Sequence, residues 1–462
     1  MTLIKSISGI RGTIGGKVGE NLTPIDAVKF ASAYGVWLKQ QRDKEHYKVV
    51  VGRDARISGQ MIQNLVMNTL VGLGIHIVDI GLSTTPTVEV AVPLEHADGG
   101  IILTASHNTK QWNALKLLNA KGEFIDNFEG AKILEIAESD DMIFSDVDNL
   151  GKITKNKAYI DLHIIEVLDL DLVTVNAIEE ARFKVVVDGV NSTGGIAIPL
   201  LLERLGVDVV KLYCEPNGHF PHNPEPLKEH LGDLSEAVKK HNADFGIVVD
   251  PDVDRLAFMD ENGEMFGEEY TLVACADYVL SKTPGNTVSN MSSTRALRDV
   301  TEKYGGFYEA SAVGEVNVVK LMKKNKVVIG GEGNGGIIYP EAHYGRDALV
   351  GVALFLSLLA DRKMSVSQLR KTYPNYFMGK KKIELTPGLD VDRILKTIEN
   401  SYNIEQLTTI DGVKIDFTES WVHLRKSNTE PIIRIYTEAK SQKEADALAD
   451  KFIAEIGEIA NS

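Results

Sequence analysis

The sequence predicts a multidomain α/β protein that ends in a smaller α+β domain. Three observations support this fold class. Apolar segments of strand length alternate with helical segments, the alternation recurs in three similar blocks, and the last block has short strands and a closing helix. Such alternation is typical of α/β units with parallel or mixed sheets. Because 462 residues are too many for one core, length alone suggests roughly three or four domains; divided as four, they cover residues 1–155, 156–255, 256–375 and 376–462.

The individual elements follow from apolar runs and from the polar or Gly-rich turns between them. Strands are predicted at residues 47–51, 75–80, 100–103, 183–187, 207–212, 244–249, 256–259 and 326–329, and helices at residues 58–73, 198–205 and 348–360. After a linker at 374–376, the last block has predicted strands at 381–385, 412–417, 421–424 and 432–438 and a helix at 442–456. In the first three blocks a strand ends in a loop near Ser106, Asp250 or Glu332. Open α/β sheets bind ligands at such strand ends, so we expect these loops to be functional.

The charge and cysteine content of the chain indicate which kinds of molecule it binds and in which compartment it works. The chain has 50 basic and 65 acidic residues and a formal charge of −15, which argues against a nucleic-acid or membrane-surface binder. Two cysteines, Cys214 and Cys275, and the lack of an apolar leader after Met1 favour a reducing cytoplasm. The apolar run at 348–360 is shorter than the ~20 residues that span a bilayer. We expect a cytoplasmic protein with a small-molecule partner.

Ser106 lies in the loop Thr104–Asn108, directly after the apolar run at 100–103. A hydroxyl displayed where a buried strand ends is suited to act as a nucleophile or to carry a covalent group. The alternative is a helix N-cap, a common role for serine. His107 alone is a weak signal because histidines are often structural. Lys116, ten residues after Ser106, could supply a general acid or base or contact a phosphate.

Three alternating carboxylates, Asp250, Asp252 and Asp254, follow the predicted strand at 244–249. If the loop curls, they can converge on one Mg²⁺, which prefers oxygen ligands and keeps positions open for phosphate. Arg255 adds a guanidinium that can grip phosphate in a fork. The alternative is a solvated acidic turn. However, three like charges between two apolar strands are costly without a counter-ion, so we predict a metal site.

Other polar loops are candidate ligand sites. Glu332 and Asn334, in a Gly-rich segment unlike a P-loop, could hydrogen-bond sugar hydroxyls. A tight turn with flanking arginines could cradle a phosphate, or it could be an ordinary hairpin turn; its candidate residues are Arg425, Ser427, Asn428, Thr429 and Arg434. Arg11, like Arg53 and Arg56, lies in a turn where an ion-pair hub is as good an explanation as a ligand contact.

In their order along the chain, these segments resemble the α-D-phosphohexomutase superfamily. The resemblance covers essentially the whole sequence, from Gly9–Gly12 and Gly52–Asp54 through the loops of Ser106, Asp250 and Glu332 to the segment at 427–431. It implies four domains around a central cleft and a phosphorylated Ser106. It also implies one Mg²⁺ held by Asp250, Asp252 and Asp254, with the phosphoserine as a further ligand.

The resemblance implies that phosphate moves between O6 and O1 of a hexose through a hexose 1,6-bisphosphate, which also activates the enzyme. Arg11, His107 and Lys116 would join Ser106 in catalysis. The implied substrate contacts are Arg255, Glu332, Asn334, His343, Arg425, Ser427, Asn428, Thr429 and Arg434. Many bacterial members have serine and histidine where this chain has Asn334 and Gly336; His343 is expected to take over the histidine role.

The form of the Glu332 loop looks like a phosphoglucosamine mutase branch, which favours glucosamine 6-phosphate and glucosamine 1-phosphate. Phosphomannomutase/phosphoglucomutase activity is the alternative. Two more distant alternatives are a haloacid-dehalogenase-like phosphatase, with Asp250 as nucleophile, and a non-catalytic sugar-phosphate sensor. We expect a monomer or a homodimer.

Overall fold

The computed structural model describes residues 2–6, 9–139, 142–384, 390–426 and 432–461. Four sheets follow one another along the chain, of seven, four, four and five strands. The first three are mixed sheets with associated helices, and the fourth is antiparallel. The predicted fold class, three α/β domains and one α+β domain, is confirmed.

The first domain contains the seven-stranded sheet, in the order β1-β2-β6-β5-β3-β4-β7. Its elements are β1 (Ile4–Ser6), β2 (Gly9–Thr13), α1 (Pro24–Gln41), β3 (Tyr47–Arg53), α2 (Gly59–Gly72), β4 (Ile75–Leu82), α3 (Thr85–Leu94), β5 (Gly99–Leu103), β6 (Trp112–Leu118), α4 (Asn127–Glu138) and β7 (Ile153–Lys155). Strand β5 is buried along its whole length, which explains its unbroken apolar sequence.

The second sheet has the order β11-β10-β8-β9. Its region comprises α5 (Tyr159–Leu168), α6 (Val175–Ala181), β8 (Lys184–Asp188), α7 (Gly194–Arg204), β9 (Asp208–Leu212), α8 (Gly232–His241), β10 (Phe245–Val249) and β11 (Leu256–Met259). Strand β11, expected in the third domain, pairs antiparallel with β10 in this second sheet. The Asp250 loop is therefore a turn between two strands of one sheet. The four domain ranges as a whole stay predictions.

The third sheet has the order β13-β12-β14-β15. Its region comprises α9 (Glu268–Lys282), β12 (Thr287–Asn290), α10 (Ala296–Lys303), β13 (Tyr308–Ser311), α11 (Glu315–Asn325), β14 (Ile329–Glu332), β15 (Gly336–Ile338), α12 (Ala348–Arg362) and α13 (Val366–Arg370). Helix α12 is buried from Ala348 to Leu359, as the apolar run at 348–360 predicts. It begins at Asp347, whose carboxylate accepts hydrogen bonds from the amides of Leu349 and Val350.

The fourth sheet has the order β16-β20-β19-β18-β17. Its elements are β16 (Phe377–Glu384), α14 (Val391–Ser401), β17 (Gln406–Thr408), β18 (Val413–Asp416), β19 (Trp421–Lys426), β20 (Ile432–Ala439) and α15 (Gln442–Asn461). The two helices pack with one face of the sheet around a separate core that includes Ile394, Ile433 and Phe452. Short 3₁₀ turns also occur at Val147–Asn149 and Lys228–His230.

The first three sheets share one topology. In each, three parallel strands are followed by an antiparallel strand beside the third, giving the orders β6-β5-β3-β4, β11-β10-β8-β9 and β15-β14-β12-β13. The turn from the third parallel strand to the antiparallel strand carries Ser106 in the first sheet, the three aspartates in the second, and Asn334 in the third. The repeat predicted from the sequence therefore places the candidate loops at equivalent positions.

Packing joins the domains unequally. One hydrophobic core runs through the second and third domains, from Ile160 to Tyr373. The fourth domain meets the third through polar contacts instead, including Ser292 with His423 and Arg295 with the backbone oxygen of Ser420. Within the part of the chain that the structure describes, every helix is too short or too polar to cross a bilayer.

Candidate active site

Ser106 lies in the loop after β5 with a φ of 49°, in the left-handed region. Its amide donates to Thr104 Oγ1 at 3.0 Å, and the serine is nearly fully buried. Non-glycine residues rarely adopt this conformation, and such outliers concentrate at functional sites. The loop thus holds the Ser106 hydroxyl in one fixed direction, and the N-cap alternative does not describe this position because no helix follows.

Arg56 holds the Ser106 loop through hydrogen bonds to its backbone. Its guanidinium donates to the carbonyl oxygens of Ser106, of Asn108 at 2.6 Å, of Thr109 at 2.7 Å and of Trp112 at 3.1 Å. Asp54 accepts from Arg56 Nε at 2.9 Å. The Arg56 and Asp54 side chains are fully buried, so the pair is an internal clamp for the loop. Of the two explanations for this arginine, the structure supports the ion-pair hub.

The Ser106 hydroxyl meets the acidic loop directly. Ser106 Oγ donates to Asp250 Oδ2 at 2.9 Å, although the two residues are 144 positions apart. Carboxylate oxygens of Asp250, Asp252 and Asp254 lie within 4.8 Å of one another, and all three residues are buried. Val253 between them has a φ of 64°, which is unusual for a β-branched residue and turns the loop so that the carboxylates converge.

The three aspartates fit a divalent cation. Asp252 Oδ1 and Asp254 Oδ1 are buried and have no hydrogen-bond partner among the described residues. Burial, and then the charges of Asp254 and Asp252, raise the pKa of Asp250 well above its usual range. These unpartnered oxygens could coordinate Mg²⁺, whose charge would offset the mutual repulsion, so Asp250, Asp252 and Asp254 are suited to hold it.

Lys116, on β6, lies against the same carboxylates. Its Nζ donates to Asp252 Oδ2 at 2.7 Å and to Asp254 Oδ2 at 3.2 Å. Burial alone would lower the pKa of Lys116, but the charges of Asp252 and Asp254 outweigh it and raise that pKa above its ordinary value. Lys116 is therefore a protonated cation beside the serine and the acidic loop.

His107, Arg11 and Arg255 surround the serine. His107 Nδ1 lies 3.4 Å from Ser106 Oγ. Burial, and then the positive charges of Arg255 and Arg11, lower the pKa of His107 well below its ordinary value, so its ring is neutral near pH 7. Arg11 donates to Asn108 Oδ1 at 2.9 Å, and Arg255 donates to Glu225 Oε1 at 3.0 Å. The sequence did not single out Glu225.

Arg346 connects the acidic loop to the third domain. Its Nη2 donates to Asp254 Oδ2 at 2.7 Å and its Nη1 to Glu332 Oε2 at 3.0 Å. Its Nε donates to Glu315 Oε2 at 2.9 Å. Neither Arg346 nor Glu315 was a candidate from the sequence. The available signal was a Gly-Arg-Asp turn directly before a buried helix, but its partners are distant in the chain.

The Glu332 loop is ordered by several contacts. Glu332 Oε1 accepts from Asn290 Nδ2 at 2.8 Å and from the amide of Gly314 at 3.2 Å. Asn334 is partly exposed, and its Oδ1 accepts from the amide of Gly336 at 3.2 Å. A Cβ at Gly336 would lie 2.3 Å from Arg346 Cδ. The Arg346 side chain therefore fills the space that a larger residue at 336 would need.

The remaining predicted substrate residues have different surroundings. Both ring nitrogens of His343 face carboxylates of this chain, Asp347 at 3.0 Å and Glu89 at 3.5 Å. The ring, which was expected to contact the substrate, therefore has partners within the protein. Arg425 and Arg434 are cross-strand neighbours on β19 and β20. Ser427, Asn428 and Thr429 lie outside the described residues. The substrate roles of all six residues stay predictions.

Models of the phosphoglucomutase/phosphomannomutase family match four consecutive parts of this chain. The alpha/beta/alpha domains I, II and III match residues 3–143, 157–263 and 267–376, and the C-terminal domain matches residues 379–455. Together these ranges include every loop described above.

Similar proteins extend over nearly the whole chain. A phosphoglucomutase/phosphomannomutase of Thermococcus kodakarensis is 36% identical over 444 residues, which cover 94% of this chain and 95% of the relative. A probable phosphoglucosamine mutase of Methanopyrus kandleri is 32% identical over 451 residues, covering 96% of each. The solved structure of a phosphoglucomutase/phosphomannomutase family protein from Burkholderia thailandensis matches with a TM-score of 0.85 at 24% identity, over 99% of this chain and 97% of that one. The structural match supports the fold.

The fold, the site and these relatives define an isomerase of the mutase type. The chain belongs to the α-D-phosphohexomutase superfamily, within the phosphoglucomutase/phosphomannomutase family. Proteins of this family act on hexose phosphates and generally use Mg²⁺ and a phosphoserine. The predicted family and enzyme class are confirmed, which sets aside the haloacid-dehalogenase and sensor alternatives.

Proposed function

We propose that this protein interconverts glucosamine 6-phosphate and glucosamine 1-phosphate through a phosphorylated Ser106. The observation that carries the proposal is the hydrogen bond from Ser106 Oγ to Asp250 Oδ2 at 2.9 Å, inside a cluster of three buried carboxylates. A hydroxyl at this position can bear a phosphoryl group beside a cation. Lys116, Arg11 and Arg255 then supply the positive charge that phosphoryl transfer requires.

In the proposed reaction, a free hydroxyl oxygen of the substrate bonds to phosphorus as the bond from phosphorus to Ser106 Oγ breaks. Neutral His107, 3.4 Å from Ser106 Oγ, is placed to take up the proton that the substrate hydroxyl releases and to return it to the leaving serine oxygen. Protonated Lys116 stabilises negative charge on the transferring group. A cation on the aspartates would add electrostatic stabilisation there. The 1,6-bisphosphate then reorients, and its other phosphate returns to Ser106.

The proposed substrate-binding residues differ in the part of the substrate that they would contact. Arg255, next to the acidic loop, would contact the reacting phosphate. Glu332 and Asn334 would read hydroxyls that are present in both orientations of the sugar. Arg425, Arg434 and the segment at 427–431 would hold the phosphate that is not reacting.

Glucosamine is favoured by the form of the Glu332 loop and by the probable phosphoglucosamine mutase among the relatives. Phosphoglucomutase/phosphomannomutase activity is the second candidate, because a relative with that name is 36% identical to this chain. The two candidates share the Ser106 chemistry and differ only in the sugar.

A coupled assay tests the choice of sugar. Purified enzyme with Mg²⁺ and a catalytic amount of hexose 1,6-bisphosphate is given the 1-phosphates of glucosamine, glucose and mannose in turn. We expect kcat/KM to be at least about tenfold higher for glucosamine, which is about 1.4 kcal/mol of discrimination. A higher value for glucose or mannose would select the second candidate.

Intact mass tests the serine. Active preparations should contain a species heavier by one phosphoryl group, and this species should be missing from Ser106→Ala. The variant Asp250→Asn tests whether Asp250 is the nucleophile or a metal ligand. If covalent phosphate is retained in Ser106→Ala but lost in Asp250→Asn, the proposed chemistry is refuted.

A further inference from the structure

We infer that His163, His343 and Asp347 form a second cation site, suited to Zn²⁺ or a similar transition metal and separate from the three aspartates. His163 Nε2 lies 2.8 Å from Asp347 Oδ2, and His343 Nε2 lies 3.0 Å from the same oxygen. The three ligand atoms lie within 4.8 Å of one another. Side-chain exposure is 1% for His163 and Asp347 and 15% for His343, which leaves an approach on the His343 side.

The donor set determines the metal class. Two imidazole nitrogens and one carboxylate oxygen are a common zinc ligand set, with one position left for water. Mg²⁺ instead prefers oxygen ligands and octahedral geometry. The two clusters therefore differ in preference: the aspartates suit Mg²⁺, and the histidine pair suits a softer ion.

The atoms that would not bind the metal are already held by partners. His163 Nδ1 lies 3.0 Å from Thr87 Oγ1, and His343 Nδ1 lies 3.5 Å from Glu89 Oε2. Asp347 Oδ1 caps helix α12 through the amide of Leu349 at 2.8 Å, which leaves Oδ2 as the ligand atom. Metal-binding histidines usually donate their second ring N–H to an oxygen, which orients the ring and fixes its tautomer.

Glu89 gives an independent indication of a missing cation. It is 2% exposed, and neither of its carboxylate oxygens has a hydrogen-bond partner in the described part of the chain. His343 Nδ1, 3.5 Å from Glu89 Oε2, is the neighbouring group that could supply a hydrogen bond to this carboxyl. A cation at Nε2 places the proton on Nδ1, where it can be donated to Glu89. One bound ion thus satisfies both groups.

The site would join three parts of the molecule. Glu89 and Thr87 are on α3 of the first domain, and His163 is on α5. His343 and Asp347 precede α12, on either side of Arg346, which contacts Asp254 and Glu332. We assign the ion a structural role at this junction. The assignment does not depend on which sugar the enzyme prefers.

Metal analysis of the full chain tests the inference. Protein is stripped with chelator, returned to excess Mg²⁺ so that the aspartates are occupied, titrated with Zn²⁺, and desalted before zinc is counted. We expect one retained zinc per chain and a rise in the thermal midpoint. His163→Gln and His343→Gln should lose the retained zinc, and Glu89→Gln should weaken zinc affinity by about 10- to 100-fold.

His46→Gln is the matched control. Exposed His46 and partly buried His76 have ring centroids 5.4 Å apart and could collect zinc near the surface. Retained zinc that is unchanged in His46→Gln and lost in His163→Gln supports the site. The inference would be overturned if the wild type retained no zinc, or if zinc were retained in both His163→Gln and His343→Gln. Protons shared among the three side chains would then explain the cluster. If a histidine variant does not fold, Co²⁺ binding is followed by its visible absorption in the wild type and in Glu89→Gln. Binding that is weaker in Glu89→Gln supports the site, and no Co²⁺ binding in the wild type overturns it.

Discussion

The guanidinium of Arg346 reaches Asp254 Oδ2 at 2.7 Å, across the boundary between the second and third sheets. The same guanidinium holds Glu332 and Glu315, so it links the acidic loop to the loop proposed to read the sugar. All four side chains are at most 10% exposed. Removing one partner of charged groups that are buried this deeply leaves an uncompensated charge, which strongly destabilises the fold.

Replacing Arg346 should damage both loops at once. Arg346→Gln leaves Glu315 and Glu332 without their cation and leaves Asp254 with Lys116 alone. We expect a loss of about 3–5 kcal/mol of stability and a large fall in kcat/KM. Arg346→Lys keeps the charge without the fork and should be intermediate. Arg362→Gln is the control, because Arg362 pairs with Asp277 instead. Near-normal kinetics in Arg346→Gln would contradict the proposed link.

Arg56 should control how well Ser106 is presented. Arg56→Lys cannot reach all the carbonyl oxygens that the guanidinium now holds, so the loop should loosen. We expect kcat to fall by about 100-fold, the cost of misplacing reacting groups by about 1 Å, together with a lower fraction of phosphorylated enzyme by intact mass. Arg53→Lys, which disturbs contacts to Gln63 and Gln60 instead, should have a smaller effect.

Removing Mg²⁺ should abolish activity and lower stability. A ligand at one hundred times its Kd stabilises the folded state by about 2.7 kcal/mol, so Mg²⁺ should raise the thermal midpoint of the chelator-treated enzyme. Asp252→Asn should reduce this shift. Asp260→Asn changes a carboxylate in the turn after β11 and should keep it. Equal Mg²⁺ shifts in both variants would place the ion elsewhere.

Acid should weaken the contact between the third and fourth domains through His423. Its Nδ1 lies 2.9 Å from Ser292 Oγ, and its Nε2 lies 2.7 Å from the carbonyl oxygen of Asp411. Burial lowers the pKa of His423 to about 4. The unfolded chain, with an ordinary histidine pKa, binds the proton first, so stability falls as pH drops from about 6.5 to 4.

The expected slope from this one group is at most about 1.4 kcal/mol per pH unit. Denaturation of the wild type and His423→Gln between pH 7.5 and 4.5 measures it, and the variant should show the flatter profile. His222→Gln should change the profile in the opposite direction. Although burial opposes it, the hydrogen bond to Asp188 raises the pKa of His222, so its contribution is lost as pH increases. Identical profiles for wild type and His423→Gln would exclude this group as the acid-sensitive contact.

Asn334 should influence sugar preference. It is partly exposed in the turn between β14 and β15. Asn334→Ser removes an amide that can both donate and accept, so the ratio of kcat/KM for glucosamine and glucose phosphates should change by about 10-fold. Asn325→Ser, which breaks a contact to Glu309, should leave this ratio unchanged. A constant ratio in Asn334→Ser would remove Asn334 from the specificity contacts.

Ser106 and the three aspartates were predictable because each signal is local. Each is a polar group directly after an apolar strand, and the repeated topology then brings those strand ends together. Strand β11 was placed in the wrong block for the opposite reason: its pairing with β10 is a tertiary fact that an apolar run of four residues does not reveal.

Arg56, Glu315 and Arg346 could not be found in the same way. Arg56 binds carbonyl oxygens about fifty positions away, and Arg346 binds Asp254 at a separation of 92. Only folding makes these side chains neighbours. Gly336 carried a readable clue, since a glycine leaves space beside it, but the side chain that fills this space, Arg346, is ten residues further along the chain.

The continuous core from Ile160 to Tyr373 has a consequence for how this molecule can be divided. Cutting between the middle two sheets would expose large apolar surfaces that neither half could cover. An exchange of modules with a related enzyme should therefore transplant that pair as one piece, whereas the carboxy-terminal unit, with its own apolar centre, is the part a chimera can most readily replace.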